Sequence, residues 1–94
     1  MSTIVRVTNG RIEEFENGAL QRSYGSNIVA ASTDGQIVAA VTASGRVEEY
    51  QRGSLQRSFG SNATGVQVSG GTVAVQTKNG RTEEYKNGSL QRSY

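Results

Sequence analysis

The segment RIEEFENGALQRSYGSN at residues 11–27 returns as RVEEYQRGSLQRSFGSN at residues 46–62 and as RTEEYKNGSLQRSY at residues 81–94. The spacing is 35 residues both times, and residues 11–45 match residues 46–80 at 16 of 35 positions, which excludes chance. Each copy sets Arg, Glu, an aromatic residue, Gly and Leu at fixed places, so this is a structural repeat and not low-complexity sequence. Residues 1–10 fit the end of one more unit, with TIVRVTNG (3–10) aligning approximately with TVAVQTKNG (72–80). The chain divides into a partial unit (1–24) and two full ones (25–59 and 60–94), together one repeat domain.

Within a unit, turn signals come too often for helices. Pairs such as Asn9-Gly10, Asn17-Gly18, Asp34-Gly35, Ser44-Gly45, Arg52-Gly53, Gly70-Gly71, Asn79-Gly80 and Asn87-Gly88 favour the positive φ angles of tight hairpins. The stretches between them are rich in Val, Ile, Thr and Tyr and read as strands. The first unit has three, over 3–8, 11–16 and 19–24. The second has four, over 28–33, 36–43, 46–51 and 54–59, and the third has 64–69, 72–78, 81–86 and 89–94. Eleven strands in a continuous antiparallel meander result, with the first strand of unit one missing.

A two-residue turn at Arg52-Gly53 sets a register for the last hairpin. It places Tyr50 opposite Leu55, Glu48 opposite Arg57 and Arg46 opposite Phe59, all on one face. Val47, Glu49 and Gln51 then share the other face with Ser58, Gln56 and Ser54. The same arithmetic pairs Glu13 with Arg22 and Glu83 with Arg92. A recurring cross-strand charge pair beside an aromatic residue stabilises a sheet by about 0.2–1 kcal/mol.

Composition removes whole classes of chemistry. The 94 residues include no Cys, His, Pro or Trp. Disulfides, thiol chemistry, zinc ribbons and imidazole catalysis are therefore excluded. The net charge of +2 comes from scattered residues, a weak footprint for nucleic acid. No apolar run approaches the roughly 20 residues of a membrane helix, and no signal-peptide core follows Met1. A cytoplasmic location is the default. The adjacent carboxylates Glu13-Glu14, Glu48-Glu49 and Glu83-Glu84 point to opposite faces of a strand and cannot act together on one substrate. No enzymatic activity, metal or cofactor is expected.

One local inconsistency stands out. Glu14, Glu49 and Glu84 occupy a strand position that ought to be apolar, close to Gln21, Gln56 and Gln91. Such a seam can hold water, pair with a neighbouring Arg, or line a small pocket for a polar ligand.

Four-stranded meanders of about 35–45 residues in tandem are the sequence form of a β-propeller blade. The third unit resembles an NHL-type propeller repeat. Val66 and Val68 match its inner strand, Val73 and Val75 the second, Arg81 and Tyr85 the third, and Leu90, Arg92 and Tyr94 the outer one. The unit departs from that pattern in carrying Glu14, Glu49 and Glu84 for an apolar residue, and in a shorter middle turn. The resemblance implies an all-β propeller fold with six blades and a binding role. A β-prism lectin fits the length but not the motifs, since its mannose signature has no match here. A β-trefoil lacks its Trp.

Fewer than three blades cannot close a ring. Closure by homo-oligomerisation is expected, with a dimer giving six blades preferred and a trimer second. The expected role is a self-assembling scaffold or interaction module. The alternative is a lectin-like binder of carbohydrate, or of another small polar ligand, at repeated equivalent sites. The near-identity of the units suits a recently amplified or an engineered repeat.

Overall fold

Alternation and turn chemistry place eleven strands along the chain, and a computed structural model, which describes residues 2–94, contains eleven. In order they are β1 (Thr3–Thr8), β2 (Arg11–Glu16), β3 (Ala19–Tyr24), β4 (Ile28–Thr33), β5 (Val38–Thr42), β6 (Val47–Gln51), β7 (Ser54–Phe59), β8 (Ala63–Ser69), β9 (Thr72–Thr77), β10 (Thr82–Lys86) and β11 (Ser89–Ser93). They form three antiparallel meanders, β1-β2-β3, β4-β5-β6-β7 and β8-β9-β10-β11, here called blades one to three. The outer hairpins turn at Asn17-Gly18, Arg52-Gly53 and Asn87-Gly88. Both turn residues have positive φ each time (52° and 84°, 53° and 79°, 53° and 78°), as a type I′ turn requires.

The register differs from the one expected. Tyr50 pairs with Leu55 as foreseen, but Glu49, not Glu48, pairs with Arg57, and Val47, not Arg46, pairs with Phe59. A β-bulge in which Gln56 is the extra residue causes the slip. Gln21 and Gln91 are the bulge residues of the other two blades. The pairs Glu13–Arg22, Glu48–Arg57 and Glu83–Arg92 are therefore corrected to Glu14–Arg22, Glu49–Arg57 and Glu84–Arg92. The bulge sends Leu55 to one face of the blade and Arg57 and Phe59 to the other. It also matches Val47 to Phe59 and Ile12 to Tyr24, apolar against apolar.

Blade one has a further peculiarity. Its β1–β2 turn holds two residues, with Thr8 paired to Arg11. The corresponding turns hold three, closed by Thr42 N–H to Arg46 O and Thr77 N–H to Arg81 O, each 2.9 Å. Equivalent positions upstream of this turn are thus Ile4, Val38 and Val73; Arg6, Ala40 and Val75; and Val7, Val41 and Gln76. The pairings Arg6–Glu13, Ala40–Glu48 and Val75–Glu83 agree with that alignment.

Apolar residues bury between blades. One cluster joins Ile12 and Tyr24 of blade one to Ile28, Val38, Ala40 and Tyr50 of blade two. The other joins Ala39, Val41, Val47 and Phe59 of blade two to Ala63, Val66, Val68, Val73, Val75 and Tyr85 of blade three. Both faces of blade two are thus covered, and every residue of β5 is buried. Each junction ends in a tilted aromatic pair: Tyr24 and Tyr50 with ring centres 4.9 Å apart, Phe59 and Tyr85 4.6 Å apart. Such pairs contribute about 0.5–1.5 kcal/mol beyond their burial.

Polar links reinforce the stack. Ile28 N–H donates to Gly10 O and Ala63 N–H to Gly45 O, both at 2.9 Å. The Asp34 carboxylate accepts from Gln36 and Ile37 N–H in its own turn and from Gly71 N–H of blade three at 2.8 Å. Arg11 and Arg46 each donate to the chain that leaves their blade, at Gly25 O and Gly60 O.

Candidate interaction surface

Each blade carries a Glu–Arg pair on the face that looks away from the preceding blade, and blades one and three add a tyrosine to it. In blade one, Arg22 Nη1 donates to Glu14 Oε2 at 2.5 Å and Tyr24 Oη donates to Glu14 Oε1 at 2.9 Å. In blade three, Arg92 and Tyr94 do the same for Glu84. In blade two, Arg57 donates to Glu49, but Phe59 stands where the tyrosines are. Glu49 Oε1 consequently has no hydrogen-bond partner among the described residues, although Glu49 is only 3% exposed.

The other carboxylate of each adjacent pair turns the opposite way. Tyr50 Oη donates to Glu48 at 2.6 Å and Tyr85 Oη to Glu83 at 2.8 Å. Phe15 has no hydroxyl to offer Glu13, which accepts instead from Arg6 Nε at 2.8 Å and Thr8 Oγ1 at 3.1 Å. Those bonds, that from Arg6 first, hold the Glu13 carboxyl below its ordinary value. Burial, then the bond to Glu83, pushes Tyr85 up to about 12. Burial also raises Tyr24 and Tyr50 above the ordinary phenol value, assisted by Glu14 and Glu48.

Gln21, Gln56 and Gln91 are exposed, and each amide donates back to a carbonyl two residues earlier, at Ala19, Ser54 and Ser89. They shape the bulge. Glu14 lines a polar cleft of about 430 Å³ between blades one and two, with Arg22, Gln36 and Arg52. Glu49 is buried, and Glu84 lies on the open face of blade three. The three carboxylates therefore sit in three different surroundings. Among the described residues no group of His, Cys, Asp and Glu side chains could hold a metal ion.

The guanidinium stems have a second use. Arg22 Cδ lies 2.9 Å from where a Cβ on Gly53 would be, and Arg57 Cδ lies 2.7 Å from the same point on Gly88. Each arginine thus crosses the junction and rests on the hairpin of the next blade, a close approach that only glycine permits. Arg92 has no such hairpin beneath it. Its side chain is 65% exposed, against 37% for Arg22 and 36% for Arg57. Gly18, at the far end of the stack, faces open space: among the described residues nothing lies within 4 Å of where its Cβ would be.

A family model described as the Helicobacter pylori IceA2 protein matches the chain twice, over residues 1–59 and 49–94. This chain belongs to the IceA2 family. The double match follows the repeat, because the 35-residue unit lets the family pattern be laid down in two overlapping registers. No curated protein matches the chain. Among solved structures, BamB from Moraxella catarrhalis, a β-propeller protein, is similar at a TM-score of 0.79 with 16% identity. The alignment covers 98% of this IceA2-family chain and 32% of that chain, so the chain spans about a third of the structure it resembles. At this identity the likeness shows the fold, and the fold is propeller-like. The family that matches is IceA2, not NHL.

Residues of the end faces went unnoticed in the sequence. Arg6 stands where Ala40 and Val75 pack against the preceding blade. Gln76 and Thr82 stand where Val41 and Val47 pack against the following one. Each is a polar residue at an apolar position of the repeat, a signal visible once the shorter turn of unit one is allowed for.

Proposed function

We propose that this chain is a non-enzymatic, propeller-type interaction module that associates with copies of itself through its end blades. One observation carries the reading. The stack ends in two half-junctions: Phe15 occupies the place of Tyr50 and Tyr85, and Tyr94 the place of Tyr24 and Phe59. Tyr94 is 60% exposed and Ile4, the counterpart of Val38 and Val73, is 59% exposed. An unmet face of this kind gains stability by finding the partner that internal blades already have.

A ring of copies is the closed form of such an assembly. The resemblance of the strand residues of unit three to an NHL-type repeat favours six blades and hence a dimer, with a nine-bladed trimer second. Two chains supply 22 strands rather than 24, so a dimeric ring contains two three-stranded blades or exchanges a strand. Native mass spectrometry combined with sedimentation across a dilution series tests this. Discrete oligomers that dissociate on dilution, with a melting temperature that rises with concentration, are the expected result. A folded monomer throughout, with a dilution-independent melting temperature, would refute it.

A further inference from the structure

Resting on that self-association, we infer that the joint between copies is head-to-tail, with blade three of one copy seated on blade one of the next, and that Arg6 is its directing residue. The two internal junctions define what such a joint must contain. An aromatic residue at the end of the outer strand meets one on the third strand of the next blade, as Tyr24 meets Tyr50 and Phe59 meets Tyr85. An arginine two residues earlier rests on the next hairpin glycine, as Arg22 does on Gly53 and Arg57 on Gly88. Continued by one blade, the same geometry sets Tyr94 on Phe15 and Arg92 over Gly18 of the following copy. All four groups are present, and each lacks the counterpart that its internal equivalents possess.

The polar substitutions fall on opposite sides of this same joint. Ala40 shares a cluster with Val7 and Ile12, and Val75 shares one with Val41 and Val47. Their counterparts at the joint are Arg6 on one side, and Gln76 and Thr82 on the other. A guanidinium thus meets an amide oxygen and a hydroxyl, which supply acceptors where an apolar neighbour would leave buried donors unpaired. Within a single chain Arg6 covers the Phe15 ring at 4.8 Å. In the joint Tyr94 takes over that cover, while Arg6 keeps the Glu13 carboxylate that its Nε meets at 2.8 Å and offers its terminal N–H groups to Gln76 and Thr82. Two identical ends brought together would leave Tyr94 without Phe15 and Arg92 without Gly18, because each of those partners lies on the other end of the chain. The symmetric alternative therefore cannot reproduce the internal junctions. The named contacts lie on the middle of β1, on β2 and its hairpin turn, and on β9, β10 and the end of β11. The apolar residues that Ile28 of β4 and Ala63, Val66 and Val68 of β8 add at the internal junctions have no counterpart in blade one, so this joint buries less than those within the chain.

Directed cross-linking tests the joint, because the chain has no cysteine of its own. Full-length Phe15→Cys and Tyr94→Cys variants, distinguishable by mass, are mixed under mild oxidation. A Tyr24→Cys, Tyr50→Cys double variant is the internal standard for the same geometry. The expected result is a mixed 15–94 disulfide as the main product. Arg6→Ala should weaken association at least tenfold in sedimentation while leaving the circular dichroism of the single chain unchanged. Association that yields only 15–15 or 94–94 products, or that is indifferent to Arg6→Ala, overturns the head-to-tail joint while self-association stands. Absence of association in the unmodified chain overturns both.

Discussion

Phe59 stands over Glu49 without the hydroxyl that Tyr24 presents to Glu14 at 2.9 Å, and one oxygen of the Glu49 carboxylate is left without a partner among the described residues. Blade one shows the remedy in the same local geometry. Phe59→Tyr supplies the missing donor, and a hydrogen bond to a buried charged group contributes about 1.5–3 kcal/mol when well formed. Some of that is offset by burying the hydroxyl. A net gain of about 1 kcal/mol is expected, with Tyr24→Phe losing a similar amount. Chemical denaturation of the three proteins at one concentration checks both values. A Phe59→Tyr protein no more stable than the parent contradicts this account of Glu49.

The three ion pairs look alike in the sequence but differ in energetic weight. Glu49 lies buried under blade three, so Arg57→Ala strands a carboxylate and removes the stem that rests on Gly88. Breaking a buried pair from one side costs about 3–5 kcal/mol. Arg57 itself is partly exposed, so a smaller loss, about 2–3 kcal/mol, is expected. Arg92→Ala breaks an exposed pair that contributes little to the single chain. Unfolding measured under dilute, monomeric conditions should rank Arg57→Ala well below Arg92→Ala. Equal losses would mean that burial does not set the difference.

Strand count, turn positions and the grouping into three antiparallel sheets were legible because each depends on local chemistry: Gly-containing pairs for turns, Val and Tyr runs for strands, a 35-residue period for sheets. The register of the outer hairpin was not legible from turn length alone. Counting outward from Arg52-Gly53 assumes a regular ladder, and Gln56 breaks it. A residue-level clue existed, since a regular ladder opposes Phe59 to Arg46 and Val47 to Ser58, whereas one extra residue pairs Val47 with Phe59. Glu49 looked like a misplaced polar residue until that correction made Arg57 its partner. Arg6, Gln76 and Thr82 were hidden for a different reason. Their meaning depends on which face of a blade meets a neighbour, and only the packed structure shows that.

Arg52 holds a left-handed turn position at φ 53°, where the other two hairpins have Asn17 and Asn87. A side chain with a Cβ pays roughly 1–2 kcal/mol for that conformation, and Asn tolerates it better through local hydrogen bonding. Arg52→Asn is therefore expected to raise stability by about 0.5–1 kcal/mol and to leave the fold unchanged. Thermal unfolding of the variant beside the parent measures it. A destabilised variant would show that Arg52 makes a contact in its cleft worth more than the turn strain.

Alkaline pH should unfold the stack through its tyrosines. Burial, then the bond to Glu83, raises Tyr85 to about 12, and burial likewise raises Tyr24 and Tyr50, with bonds to Glu14 and Glu48 adding to it. A phenol whose folded pKa lies above its unfolded value near 10 favours the folded state most below pH 10. That contribution fades as pH climbs through the folded value, because the unfolded chain loses the proton first. For Tyr85 the loss is on the order of 2 kcal/mol by linkage. Asp34 works at the other end of the scale. Burial would raise its pKa, but the N–H groups of Ile37, Gln36 and Gly71 outweigh burial and hold it below its ordinary value. Its contribution is complete above about pH 5 and lost as pH falls through the carboxylate range. The test follows phenolate absorbance and circular dichroism together in an alkaline titration. The three buried tyrosines should ionise only as the β-sheet signal disappears, well above pH 10. Phenolate forming near pH 10 from Tyr24, Tyr50 or Tyr85, with the sheet signal intact, would show that the interblade aromatic pairs are open to water and do not hold the blades together.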